Sequence, residues 1–203
     1  MNTFIRLSDN LEMTEQDVDP LCTIPNINFK PNEAEYVKVR QWAKPSFDAI
    51  RQEVVKAPTA LVGGIWTQQW AIIALSAEQI ATNIANTKRS QWLAIKAKRD
   101  SLSDTGGYLV GTKWFHSDGK SKTQQLGLVL MGASVPAGLQ WKTLDGTFVT
   151  MTQTLAGQIF AAAAAMDMAL FAVAEQHNAA MEAAADPSVY DISTGWPATF
   201  KPE

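Results

Sequence analysis

The chain has 203 residues, a net charge of -3, 46% hydrophobic residues and 18% charged ones. That is enough for one large domain or two small ones and enough apolar material for a core, which excludes disorder throughout. No block of Lys and Arg occurs, which excludes the phosphate-neutralising footprint of a nucleic-acid binder; the single cysteine, Cys22, excludes an intrachain disulfide and a Cys-rich zinc site, and reads as a small apolar residue or a spare thiol.

Taken in order, Met1 to Leu7 lacks the basic-then-apolar pattern of a secretory signal, and Phe4 to Leu7 reads as a short strand. Leu11 to Asn32 is polar and proline-rich, so an irregular or partner-ordered segment is expected there. Tyr36 to Arg40 alternates apolar and polar as a half-buried strand does. Gln52 to Val55 and Thr59 to Val62 are the next strands, and Gly63-Gly64 gives a hairpin turn into a strand from Ile65 to Ile73. A hairpin alone is marginal in water, so this piece needs a third strand or another chain.

The character of the chain changes near Ser76. Ser76 is an N-cap, with Gln79 completing a capping box, and a helix is expected to run to about Leu102. Ile80, Ile84, Ile95 and Leu102 form its apolar stripe, flanked by Ala81, Ala85 and Trp92, with Lys88, Arg89, Lys96 and Lys98 opposite. A helix of that length, about 39 Å, outruns a small domain, so part of the stripe is expected to pack on another chain.

Gly106-Gly107 stops this helix. Tyr108–Val110 and Lys113–His116 flank Gly111-Thr112 as one hairpin, and Leu139–Thr143 and Thr147–Thr150 flank Asp145-Gly146 as a second. Between them, Lys122 to Met131 suits a short helix with Leu126, Val129 and Leu130 inward. A long Ala-rich helix follows from Thr152 to about Ala185, with Leu155, Ile159, Ala163, Met166, Leu170, Val173, His177 and Met181 on one face. Its most apolar stretch, Leu155 to Ala174, is interrupted by Gln158 and Asp167 and is mostly alanine, so no membrane span is expected. The tail beyond carries Tyr190, Ile192, Trp196 and Phe200 and is expected to lie on the domain or on a partner. The expected fold class is therefore α+β: a small β-rich N-terminal region (1–75), a helix–two hairpins–helix domain (76–185) and an extended tail (186–203).

Little in this order suggests chemistry. His116 and His177 lack the close spacing of metal ligands, so no metal or cofactor is expected. His116 and Asp118 share one strand face as the nearest approach to a dyad, but read more simply as a polar strand end. His177 reads as a core or interface histidine. Gly119-Lys120-Ser121 resembles the end of a phosphate loop, yet Trp114 stands where that loop needs glycine. No Gly-x-Ser-x-Gly setting surrounds any serine, whereas a carboxylate pair flanking a cleft remains open. Seven tryptophans are the surplus. Trp114 and Trp141 are expected in the core of the hairpin unit; Trp66, Trp70, Trp92 and Trp196, with Phe200, are the candidates for a partner interface.

The motifs also have a recognisable order: Arg99-Asp100 late in a helix, Gly107-Tyr108, Trp114-Phe115-His116-Ser117-Asp118, Ser121, then Trp141 to Asp145-Gly146 and an Ala-rich helix. This order resembles the uncharacterised C-terminal domain of phage tail and tail-fibre assembly proteins. The N-terminal half resembles them too, through Phe4-Ile5-Arg6-Leu7, Pro45-Ser46-Phe47-Asp48, and Pro58 followed by Gly64-Ile65-Trp66-Thr67-Gln68-Gln69-Trp70. The stretch after Asp118 departs from the family pattern, being richer in Lys and Gly. The resemblance implies a non-enzymatic tail-fibre accessory, acting as an assembly chaperone or as a subunit kept on the virion tail. Its partners would be fibre protein or other tail subunits, with homo-oligomers allowed and neither nucleic acid nor membrane. It would work in the host cytoplasm during assembly and on the virion tail afterwards. A purely structural baseplate or fibre-attachment subunit is the alternative, and an enzyme acting on host-surface glycans the third reading.

Overall fold

The computed structural model describes residues 2–18 and 36–202. The protein is α+β, with small antiparallel sheets and long helices, and divides into two compact units, Met1–Asn83 and Ile84–Glu203. The division falls inside a helix, α2, rather than ahead of it.

In the first unit, β1 (Thr3–Arg6) is central to a three-stranded sheet, flanked by β2 (Leu11–Thr14) and β3 (Tyr36–Lys38), both antiparallel to it. Phe4 and Ile5 are its buried centre. β2 corrects one expectation. The polar run from Leu11 begins as a strand because pairing with β1 (Phe4 opposite Met13, Ile5 opposite Glu12) supplies the hydrogen bonds its sequence does not advertise. A single turn, α1 (Glu15–Val18), follows, capped by Asp17 on the Thr14 amide. The rest of that expected irregular segment, with Pro20, Cys22, Pro25 and Pro31, lies outside the described residues.

The two expected strands around Pro58 are one strand, β4 (Gln52–Val62), paired with β5 (Ile65–Ala74). A register shift between Ala57 and Ala60 absorbs the proline, which has no N–H to give to a ladder and is tolerated at a bulge. Gly63 and Gly64 turn the ribbon with φ of 54° and 79°, a turn that suits the twist of a hairpin. The third strand that the hairpin needs is reduced to one parallel bridge, with the Arg40 amide donating to the Trp66 carbonyl at 2.8 Å and the Gln68 amide to the Arg40 carbonyl at 2.9 Å. Among the described residues no strand pairs with the other edge of the ribbon, that of β4.

Helix α2 (Ala77–Thr105) opens as its sequence dictates: the Gln79 amide donates to Ser76 Oγ at 3.2 Å, and the Ser76 amide donates to Gln79 Oε1 at 2.9 Å. Ser76→Ala is expected to cost about 1 kcal/mol, read as a lower thermal midpoint of the full chain.

The second unit continues α2 and adds β6 (Tyr108–Val110), β7 (Lys113–Phe115), α3 (Gly119–Met131), β8 (Gln140–Lys142), β9 (Phe148–Thr150) and α4 (Gln153–Ala183). Both expected hairpins form, Tyr108 facing Phe115 in the first and Gln140 facing Thr150 in the second. Thr152 caps α4 by accepting from the Leu155 amide. One core gathers Tyr108, Phe115, Leu128, Met151, Ile159 and Ala163, with Trp141 packed against it; a second joins Ile95 of α2 to Ala174 and Met181 of α4. Ile95 is the buried residue of the expected α2 stripe; Ile84, Trp92 and Leu102 are half-buried, and Ala81 and Ala85 are exposed.

The inward face of α3 differs from expectation. Gln125 and Leu128 are buried, Val129 is half-buried, and Leu126 and Leu130 are exposed, Leu130 at 79%. A polar side chain takes the inward position because it has two partners there. Gln125 Nε2 donates to the His116 carbonyl at 2.9 Å, and its Oε1 accepts from the Tyr108 hydroxyl.

Candidate functional site

Lys113–Phe115 to Asp118 and Thr143 to Thr147 form a connected hub in the second unit. The Leu144 amide donates to the Trp114 carbonyl at 2.9 Å, tying one hairpin to the other. Asp145 closes the second turn by accepting from the Thr147 amide and from the hydroxyls of Thr143 and Thr147, and it pairs with Lys113 Nζ at 2.8 Å. The Lys113 ammonium and the two hydroxyls hold its carboxyl well below the usual carboxylate range. Gly107, at φ 68°, lets the α2–β6 turn approach the hub: a Cβ there would lie 2.4 Å from Leu144 Cδ1 and 2.9 Å from the Phe115 carbonyl. Its amide donates to the buried Ser117 hydroxyl at 2.9 Å. Burial of Tyr108 pushes its phenol up to about 12, which keeps it a hydrogen-bond donor to Gln125.

These are the residues on which the sequence resemblance rests, and in the structure they build turns and caps. Asp118 is the N-cap of α3, accepting from the Ser121 amide at 3.0 Å and from its hydroxyl at 2.6 Å. A carboxylate therefore sits at the helix end where a phosphate loop would receive phosphate, so Gly119-Lys120-Ser121 is a capped turn. His116 lies on the rim of a depression of about 270 Å³ with Ser121, Gln124, Trp141 and Lys142. Asp118 is engaged with Ser121, as the preferred reading of a polar strand end entering a turn requires, and not with His116. Among the described residues no group of three or more His, Cys, Asp or Glu could hold a metal ion.

The second centre is the clasp made by the C-terminal tail. His177 Nδ1 is 2.9 Å from the Tyr190 hydroxyl, Nε2 is 2.9 Å from the Thr194 carbonyl, and the imidazole stacks on Trp196 with ring centroids 5.2 Å apart. The Trp196 indole donates to the Ile192 carbonyl at 2.8 Å. Lys98, expected on a solvent face, donates to the Ser193 carbonyl at 3.2 Å, and Lys96 lies over the Trp92 ring at 5.4 Å. The Phe200 amide donates to the Gly106 carbonyl at 2.8 Å, and its ring sits 6.3 Å from Trp114. The tail thus lies on its own domain. Of the five expected interface residues, Trp92 and Trp196 meet in the second core and Phe200 meets Trp114. Trp66 and Trp70 are half-buried on β5, where the Trp70 indole donates to the Trp42 carbonyl at 3.2 Å and Lys44 lies over its ring.

Among the described residues, two stretches of exposed apolar surface were not flagged by the tryptophan count. Leu61, Val62 and Ile65 at the tip of the β4–β5 ribbon, and Ile72 and Ile73 farther along it, are each more than a third exposed. The outer face of α4 carries Phe160, Met168 and Phe171, also exposed. By length and composition α4 is apolar enough to cross a membrane, contrary to the sequence reading, and 17% of its most apolar window is buried within the chain. Asp167, which interrupts the apolar run, accepts from Ser103 Oγ at 2.8 Å and from Lys122 Nζ at 3.2 Å.

Fold and centres define an α+β domain in which three helices and two hairpins are closed by their own C-terminal tail. Residues 86–194 match the family model described as a domain of unknown function (DUF4376). This is more than half of the chain, and the protein belongs to that family. No curated protein and no solved structure matches the chain.

Proposed function

We propose that the protein is a non-enzymatic accessory of a bacteriophage tail that binds a tail fibre, as an assembly chaperone or as a subunit retained on the virion tail. The ordered motifs described above support the phage-tail setting. The observation that carries the binding role is the β4–β5 ribbon, whose β4 edge has no strand beside it among the described residues and whose tip presents Leu61, Val62 and Ile65. An extended partner can add to such an edge through backbone hydrogen bonds while its side chains meet the exposed apolar ones. Fibre chains expose edges of the same kind before they close, and covering them prevents edge-to-edge association.

Affinity purification of the full chain from infected cells tests this. Fibre protein is expected in the eluate, reduced at least tenfold by Leu61→Arg together with Ile65→Arg, two exposed positions that leave the fold intact. Recovery of no fibre protein, or recovery indifferent to these changes, ends the proposal. Mass spectrometry of purified virions then separates the retained subunit from the transient chaperone.

A further inference from the structure

α4 carries apolar residues on two sides. Its inner side holds Ile159, Leu170 and Met181 in the cores of the second unit. On the other side Gly157, Ala161, Ala164, Met168, Phe171 and Glu175 recur in alternating steps of four and three, the spacing of a coiled-coil seam. At about 100° per residue, Ala164 lies about 140° around the axis from Ile159. Gly157, Ala161, Ala164 and Glu175 are exposed, as are Met168 at 74%, Phe171 at 54%, with the Arg99 guanidinium over one face of its ring at 4.3 Å, and, flanking them, Phe160 at 47%. Between residues 153 and 174 the one charge is Asp167, which is held by Ser103 and Lys122.

We propose that this seam is a homodimer interface in which two copies of α4 pack antiparallel about a two-fold axis near Met166. The sizes along the seam argue for a second copy of this helix over any other occupant. Antiparallel packing about that axis sets Ala161 opposite Phe171 of the other copy, Ala164 opposite Met168, and Gly157 opposite Glu175. Each layer pairs a large side chain with a small one, and the same six positions supply both halves, as an isologous contact requires. Parallel packing sets like against like, crowding Phe171 on Phe171 and leaving a gap between the alanines, which a close-packed interface does not accept. Phe160, Met168 and Phe171 leave roughly 300 Å² of apolar side chain in water per copy, taking about 200 Å² for each whole side chain. With the small residues between them, two copies bury an area at the low end of specific interfaces, so the dimer dissociates on dilution into the micromolar range. A bilayer is the other apolar medium such a helix could enter, but the inner side of α4 is committed to the cores and lipid has no use for the size pairing.

Sedimentation of the full chain from about 1 to about 100 µM tests the proposal, since that range brackets a micromolar dissociation constant. A reversible monomer–dimer equilibrium is expected. Met168→Glu, at an exposed position, is expected to keep the circular dichroism of the parent and to raise the dissociation constant at least tenfold. In a Cys22→Ser background, Ala164→Cys and Met168→Cys chains are expected to form disulfide-linked dimers when mixed and not when each is oxidised alone. A monomer throughout the range, a dimer indifferent to Met168→Glu, cross-linking of each variant with itself as efficient as in the mixture, or flotation of the monomer with phosphatidylcholine vesicles would each overturn it. The fibre test uses the β4–β5 ribbon in the other unit, so either idea can fail without the other.

Discussion

Gly107→Ala is expected to destabilise the second unit by roughly 2–4 kcal/mol, combining a strained positive φ with overpacking. The added methyl would point at Leu144 and the Phe115 carbonyl, at 2.4 and 2.9 Å. The Leu144 methyl ends a side chain and can rotate aside, but the Phe115 carbonyl is backbone of the β6–β7 hairpin and cannot. Gly111→Ala is the control: its φ of 61° is as unfavourable, but nothing lies within 4 Å of the new Cβ. It is expected to cost only about 1 kcal/mol. Urea unfolding followed by near-ultraviolet circular dichroism reads the difference, and equal midpoints for the two variants would show that the hub does not depend on this approach.

Trp196→Ala is expected to cost roughly 2–4 kcal/mol, somewhat below the range for a fully buried aromatic because Trp196 is half-buried. The change removes the ring stacked on His177, the indole hydrogen bond to the Ile192 carbonyl, and contacts to the core of Ile95, Ala174 and Met181. Trp42→Ala, at a ring that is 54% exposed, is expected to stay within about 0.5 kcal/mol. The sequence-based reading of Trp196 as a partner anchor makes the opposite forecast, an unchanged melting curve with loss of a partner. Thermal unfolding of the two variants side by side decides between them.

Where short-range chemistry fixes conformation, the sequence was readable. Ser76 with Gln79 could cap a helix in one way, and the pairs Gly63-Gly64, Gly111-Thr112 and Asp145-Gly146 each marked a real hairpin. The α4 face was legible because its burial follows one helical period for seven turns. What failed depended on a partner outside the segment itself. β2 is a strand because β1 lies beside it. The inward face of α3 is turned from Leu126 and Leu130 to Gln125 because a phenol and a carbonyl wait for an amide there, a demand that hydrophobic patterning cannot express. Part of the tryptophan surplus pointed toward partners, but Trp92 and Trp196 pack in the core that seats the tail, while the exposed apolar stretches of the β4–β5 ribbon and α4 are made of Leu, Ile, Val, Met and Phe. Of the candidate site, the hub residues were found by motif and the surfaces were not.

The tail clasp also sets the order of events on the ribosome. Lys88 reaches Glu182 across 94 residues of sequence, Lys98 reaches Ser193 across 95, and Phe200 returns to Gly106. Contacts of such long range slow folding, because the loop must close before any of its bonds reward it. The hairpins can form early on the emerging chain, but the pocket that receives Trp196 stays open until the chain through residue 200 has emerged. Nascent chains paused before that point carry Ile95 and Met181 uncovered, and it is during this interval that the domain most needs protection from its neighbours on the same message.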